Sequence, residues 1–164
     1  MTRKPHLRVF ISHQRRDEET AREIAEWLQR VGVGTYLDVL DPHLASDFGD
    51  DLGEYFRQKL GQCTHLMAVV SRNTITSWWV PFEIGIATEK QYPIATYAAG
   101  QCELPDYLTK WPYLLRLTHL VDYLVVAETT HRNILLEGLE TASIARRGEY
   151  SREFHRELKR ALGQ

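Results

Sequence analysis

The sequence predicts an α/β protein built on a doubly wound, mostly parallel sheet, and three observations carry that expectation. Short runs rich in branched and apolar residues alternate with segments of helical period, in the order β, α, β, α, β, α, β. The run Thr64–Ser71 is apolar almost throughout, as a strand is when helices cover both faces of its sheet. The 164 residues fit one hydrophobic core.

The first run, Leu7–Ser12, reads as a strand, and the polar stretch His13 to Asp17 as the loop after it. Next, Ala21, Ile24, Ala25, Leu28 and Val31 recur at helical spacing, and Gly32 and Gly34 are expected to end that helix. A second strand is expected over Thr35–Val39. The segment Leu40–Asp50 holds Asp41, Pro42, Ser46, Asp47 and Gly49, the chemistry of a loop, and a helix is expected near Leu52–Leu60. After the central strand Thr64–Ser71, the loop Arg72–Thr76 leads to a helix expected to bury Phe82, Ile86 and Ala87. Strands are then expected near Pro93–Tyr97 and Leu114–Leu117. Beyond about residue 128 the stripe Ile134, Leu135, Leu139, Ala142 and the stripe Tyr150, Phe154, Leu158, Ala161 predict two further helices, broken at Gly148. The whole of 1–164 reads as one domain, a core of about 7–127 with a C-terminal helical extension of about 128–164. Five strands in the spatial order 2-1-3-4-5 make the fold flavodoxin-like.

Composition removes several functions. Twenty Lys plus Arg against 22 Asp plus Glu leave a net charge of −2, so there is no strong positive field for a nucleic-acid backbone. No apolar run approaches the ~20 residues that cross a bilayer, and Met1-Thr2-Arg3-Lys4-Pro5 lacks an apolar signal core, so a soluble, cytoplasmic protein without membrane contact is expected. Cys63 and Cys102 are too few for a disulfide framework, and Cys63 is expected to be buried as a small hydrophobe. The seven histidines show neither HExxH nor His-x-His spacing, so no metal is expected. There is no GxxxxGK[ST] loop, no GxGxxG after a strand and no GxSxG elbow, and Ser71 stands where a phospho-accepting domain would need Asp.

In such sheets ligands bind beyond the carboxyl ends of the strands, where strand order reverses. That rule selects Ser12 and His13 after the first strand, Asp38 after the second and Ser71 after the third. The sharpest local pattern is Ser71 followed by Ser77-Trp78-Trp79-Val80-Pro81-Phe82-Glu83. It resembles the Ser…Ser-x-Trp-Cys-x-x-Glu signature of Toll/interleukin-1 receptor (TIR) domains, with Val80 in place of Cys and Pro81 an uncommon residue there. Arg8-Val9-Phe10-Ile11-Ser12-His13, followed by Asp17, resembles the opening strand and loop of that family.

The resemblance implies that Glu83 is the glutamate on which prokaryotic NAD-cleaving members depend, with Trp79 the tryptophan four residues before it. In a helix those two share a face, and Pro81 fits only its first turn. NAD explains how one acid suffices: nicotinamide is already a cationic pyridinium and leaves neutral, so no second carboxyl group is needed to protonate it, unlike ordinary glycosides. Glu83 would hold the ribose and stabilise its oxocarbenium-like transition state. Trp79 and Phe10 would wall in the rings, and Ser12, His13, Arg15 and Arg16 would meet ribose or diphosphate. NAD is then a substrate, with no cofactor required, and the product is ADP-ribose or a cyclic isomer acting as a messenger in prokaryotic immune defence. The resemblance also implies homo-oligomers through TIR–TIR contacts, with the loop near Leu40–Asp50 helping to complete the site, and a separate effector protein responding to the product.

Each residue also has an ordinary structural role. An acid early in a helix complements its dipole, Trp78 and Trp79 suit a core or interface, Arg15 and Arg16 suit a solvated loop, and Phe10 suits the core. Two other functions stay open: a non-catalytic TIR scaffold or adaptor, and an enzyme resembling nucleoside deoxyribosyltransferases.

Overall fold

The structure, a computed structural model, describes residues 7–37, 52–136 and 144–164. Its elements are β1 (Arg8–Ser12), α1 (Glu18–Arg30), β2 (Gly34–Leu37), α2 (Leu52–Leu60), β3 (His65–Val70), α3 (Trp79–Glu89), β4 (Ile94–Ala98), β5 (Tyr113–Leu114), α4 (His119–Leu136) and α5 (Ile144–Leu162). Five strands form one sheet in the order β2-β1-β3-β4-β5, and every neighbouring pair is parallel. This is the expected flavodoxin-like order, and the parallel pairing is what the alternation of strands and helices predicts.

The pleat divides the core in two. Val9, Ile11, Met67, Val69, Ala95 and Tyr97 point to a face covered by α1, α4 and α5, through Ile24, Leu28, Tyr123, Phe154 and Leu158. Phe10, Leu66, Ala68, Val70 and Ile94 point to the opposite face, covered by Phe56 and Leu60 of α2 and by Val80, Ile84 and Ala87 of α3. All six β3 residues are buried, which is why that strand reads as continuously apolar. Cys63 is buried as expected, and burial pushes its thiol up to about 11.

α1 ends in a Schellman turn: Gly32 takes φ 88°, its N–H donates to the Gln29 carbonyl, and the Val33 N–H donates to the Leu28 carbonyl. Gly34 does not share that role. It opens β2, where Arg8 Cγ lies 3.3 Å from the place a Cβ would occupy.

Other expectations are corrected. The buried face of α3 is Trp79, Val80, Glu83, Ile84 and Ala87, whereas Phe82 is 40 % exposed and Ile86 partly so. Apolar residues surround this helix on all sides, so period alone selects no face. The last strand is only Tyr113–Leu114, because the Leu115 N–H donates to His119 Nδ1 and the Leu120 N–H to the Leu117 carbonyl as the chain turns into α4. That helix begins at His119 and runs across the expected boundary near 128. Gly148 is no break: it lies buried inside α5, where a Cβ would stand 3.1 Å from Gln91 Oε1. Phe154 and Leu158 reach the core, while Ala161 is exposed. Leu139 and Ala142 lie outside the described residues, as do Val39 and the loop Leu40–Asp50.

Candidate functional site

Strand order reverses between β1 and β3, so the site is sought beyond their carboxyl ends. A pocket of about 490 Å³ lies there, lined among the described residues by Gln14, Leu52, Thr76, Ser77, Trp78, Trp79 and Phe82. Those residues come from the end of β1, the start of α2 and the connection leading into α3. The fold thus brings together the two segments that the sequence sets apart as motifs.

The start of α3 follows from local chemistry. Ser71 caps a short 3-10 segment, Arg72–Thr76: its Oγ accepts from the Asn73 N–H at 3.0 Å, and its own N–H donates to Thr74 Oγ1 at 2.9 Å. Ser77 Oγ then accepts from the Trp79 N–H at 3.3 Å. Pro81 falls in the first turn, where its missing N–H has no intrahelical carbonyl to serve.

Trp78, placed by its type in a core or interface, is 91 % exposed, whereas Trp79 is buried. The Trp79 ring lies 5.7 Å from that of Phe82, which lies 6.4 Å from Phe56. Glu83 has no solvent exposure and falls on the sheet-facing stripe with Val80 and Ala87. It is not on the pocket wall but follows Phe82, which is. A carboxylate on an apolar, sheet-facing stripe is costly to bury and is therefore the least ordinary residue of the helix.

At the end of β1, Ser12 and His13 are buried. The pleat turns Ser12 to the same sheet face as Phe10, the face that α3 covers. His13 Nδ1 lies 3.3 Å from the Ile11 carbonyl, and a carbonyl only accepts, so Nδ1 carries a proton in this contact and Nε2 is the ring nitrogen left for another partner. Ser12 Oγ, His13 Nε2, Gln14 Oε1 and Trp79 Nε1 are buried polar atoms with no hydrogen-bond partner among the described residues.

The remaining predicted residues separate. Phe10 is fully enclosed, its ring 5.0 Å from Phe56 and 5.1 Å from Tyr36, so it is a core residue and presents no surface to a ligand. Arg15 and Arg16 are exposed in the turn after β1. Asp38 lies outside the described residues. Ser71 Oγ donates to Asp17 Oδ2 at 2.7 Å, and Asn73 Nδ2 donates to Asp17 Oδ1 at 3.1 Å. Asp17 and Asn73 were not selected by sequence reasoning, although Asp17 closes the first motif. Among the described residues no group of three or more His, Cys, Asp or Glu is placed to hold a metal ion, and no helix is long and apolar enough to cross a membrane.

A family model described as a TIR domain matches residues 9–123, more than half of the chain. No curated protein matches the sequence.

Proposed function

The chain belongs to the TIR domain family, and from that membership we propose that it cleaves the nicotinamide–ribose bond of NAD. The observation that carries this reading is the wholly buried Glu83, set on the sheet-facing stripe of α3 one residue beyond the wall of the pocket.

The C–N bond breaks with its electron pair going to the pyridinium ring, which departs as neutral nicotinamide. Positive charge moves to the ribose, and the Glu83 carboxylate stabilises it in a setting where water does not screen the attraction. Water then adds at the anomeric carbon and releases a proton, giving ADP-ribose; capture by another atom of the same molecule gives a cyclic isomer. His13 Nε2 and Ser12 Oγ suit the ribose hydroxyls, and Arg15 and Arg16 suit the diphosphate. Trp79 supplies an aromatic wall. Because Glu83 is enclosed, the reaction requires Trp79 or Phe82 to move aside when substrate enters or when a second copy completes the site. Self-association of this kind, and a role for the product as a messenger to an effector in prokaryotic defence, belong to the same proposal.

The test is incubation of the assembled protein with NAD, with nicotinamide followed by chromatography. Glu83→Ala is expected to lower turnover by about 100-fold or more, the scale of losing a principal electrostatic group. No turnover by the unaltered protein, or undiminished turnover by Glu83→Ala, would refute the proposal. A second reading, a module that only assembles with other TIR domains, draws on Ile75 and Trp78, which are 81 % and 91 % exposed. It predicts concentration-dependent assembly with NAD left intact.

A further inference from the structure

Beyond Ser12 and Ala68, the last paired residues of β1 and β3, β1 gives way to its loop while β3 runs on beside β4 to Val70 before its own loop begins, and no β1–β3 ladder bond holds those loops in register. Yet one loop carries His13 and Gln14, and the other leads to Trp79 and Glu83. Their relative position must be set by something other than the sheet.

Asp17 stands between them. It is buried at 6 % exposure, it closes its own turn through its N–H to the Gln14 carbonyl at 2.8 Å, and it opens α1. Its two carboxylate oxygens take one donor each from the opposite loop, Ser71 Oγ and Asn73 Nδ2. The Ser71 hydroxyl also accepts from the Asn73 N–H, so the carboxylate, the hydroxyl and the amide form one closed set of bonds. The same Ser71 begins the segment that ends at Ser77, whose hydroxyl holds the Trp79 N–H. The path from Asp17 to the amino end of α3 therefore runs through hydrogen bonds and short turns, the Ser77 N–H donating to the Thr74 carbonyl at 2.9 Å between them.

We propose that Asp17 is a positioning residue: through Ser71 and Asn73 it fixes the amino end of α3, and with it Trp79 and Glu83, against the end of β1. The consequence for NAD cleavage rests on the reading above, but the structural consequence does not. Asp17→Ala is expected to shift the indole N–H magnetic resonances of Trp78 and Trp79 while leaving those of Trp27 and Trp111 in place. It is also expected to lower kcat for NAD by about 10- to 100-fold with KM nearly unchanged, as a small misplacement of a reacting group does. Asp17→Asn, which keeps one acceptor oxygen, is expected to recover part of both. A folded Asp17→Ala protein with an unmoved Trp79 resonance, or with the kcat of the unaltered chain, would overturn the proposal. Should Asp17→Ala fail to fold, Asn73→Ala removes only the 3.1 Å bond and is read in the same two ways. Should the unaltered chain leave NAD intact, the functional reading falls, and the indole resonances by themselves decide the role of Asp17.

Discussion

Glu83 and Asp17 are both buried acids, and their settings assign them different tasks. Asp17 sits in a turn where two neutral donors converge on it, whereas Glu83 sits among Val80, Ile84 and Ala87, in the layer that otherwise seals the sheet. A partly buried histidine contributes to the response to acid. His155 Nε2 accepts from the Ile94 N–H at 2.8 Å, which requires a neutral ring with its proton on Nδ1. Burial, helped by Lys110 and Lys159, pushes His155 down to about 4 from its ordinary 6.5. The unfolded chain therefore binds the proton more readily, so the stabilisation is complete above pH about 6.5 and is lost as pH falls toward about 4. His65, enclosed beneath α4 and α5 and pushed down to about 3, extends the loss to lower pH. Urea titrations across this range are expected to show His155→Gln losing roughly 2 kcal/mol less than the unaltered chain, because a glutamine carbonyl accepts the same bond without titrating.

Among the elements, α5 illustrates how tertiary contact overrides a local signal. Gly148 reads as a break because glycine weakens helices, yet the helix passes through it. What surrounds it explains this: Ser151 Oγ donates to the Gln91 carbonyl, and the Arg147 guanidinium lies 4.9 Å from the centre of the Tyr92 ring, so this stretch of α5 is clamped on the turn between α3 and β4. The nearest atoms to a Cβ at position 148 would be Gln91 Oε1 at 3.1 Å, Arg152 Nη1 at 3.3 Å and Gln91 Cδ at 3.5 Å, all toward the ends of flexible side chains. Gly148→Ala is accordingly expected to raise stability by about 0.5 kcal/mol, the helix preference of alanine less the cost of moving those two groups, read as a higher urea midpoint. The same competition explains α3. Its presence after the loop Arg72–Thr76 and the first-turn place of Pro81 were legible in the sequence, but its buried face was not, since Trp79, Val80, Phe82, Ile84 and Ile86 offer an apolar residue in nearly every direction.

For the molecule as a whole, the family match ends at residue 123, but the core does not. Tyr150, Phe154 and Leu158 of α5 are buried, and the last two, with no exposure, pack in the cluster that holds Tyr123 and Ile24. Losing three such side chains costs on the order of 6–12 kcal/mol, comparable with the entire stability of an ordinary domain. A chain ending at Leu136 is therefore expected not to fold, seen as loss of the cooperative thermal transition in circular dichroism. By itself the sequence determined the alternation of strands and helices, the centrality of Thr64–Ser71, and the pairing of a first-strand motif with a Ser-x-Trp-x-x-x-Glu motif, because those signals reside in runs and spacings a few residues long. Only the tertiary structure decided that Phe10 is core, that Trp78 faces solvent while Trp79 does not, that Glu83 is enclosed behind the pocket wall, and that Asp17 ties the two motif loops together. Each of those outcomes depends on which segment lies across the sheet from which, a relation between residues tens of positions apart that no local period encodes.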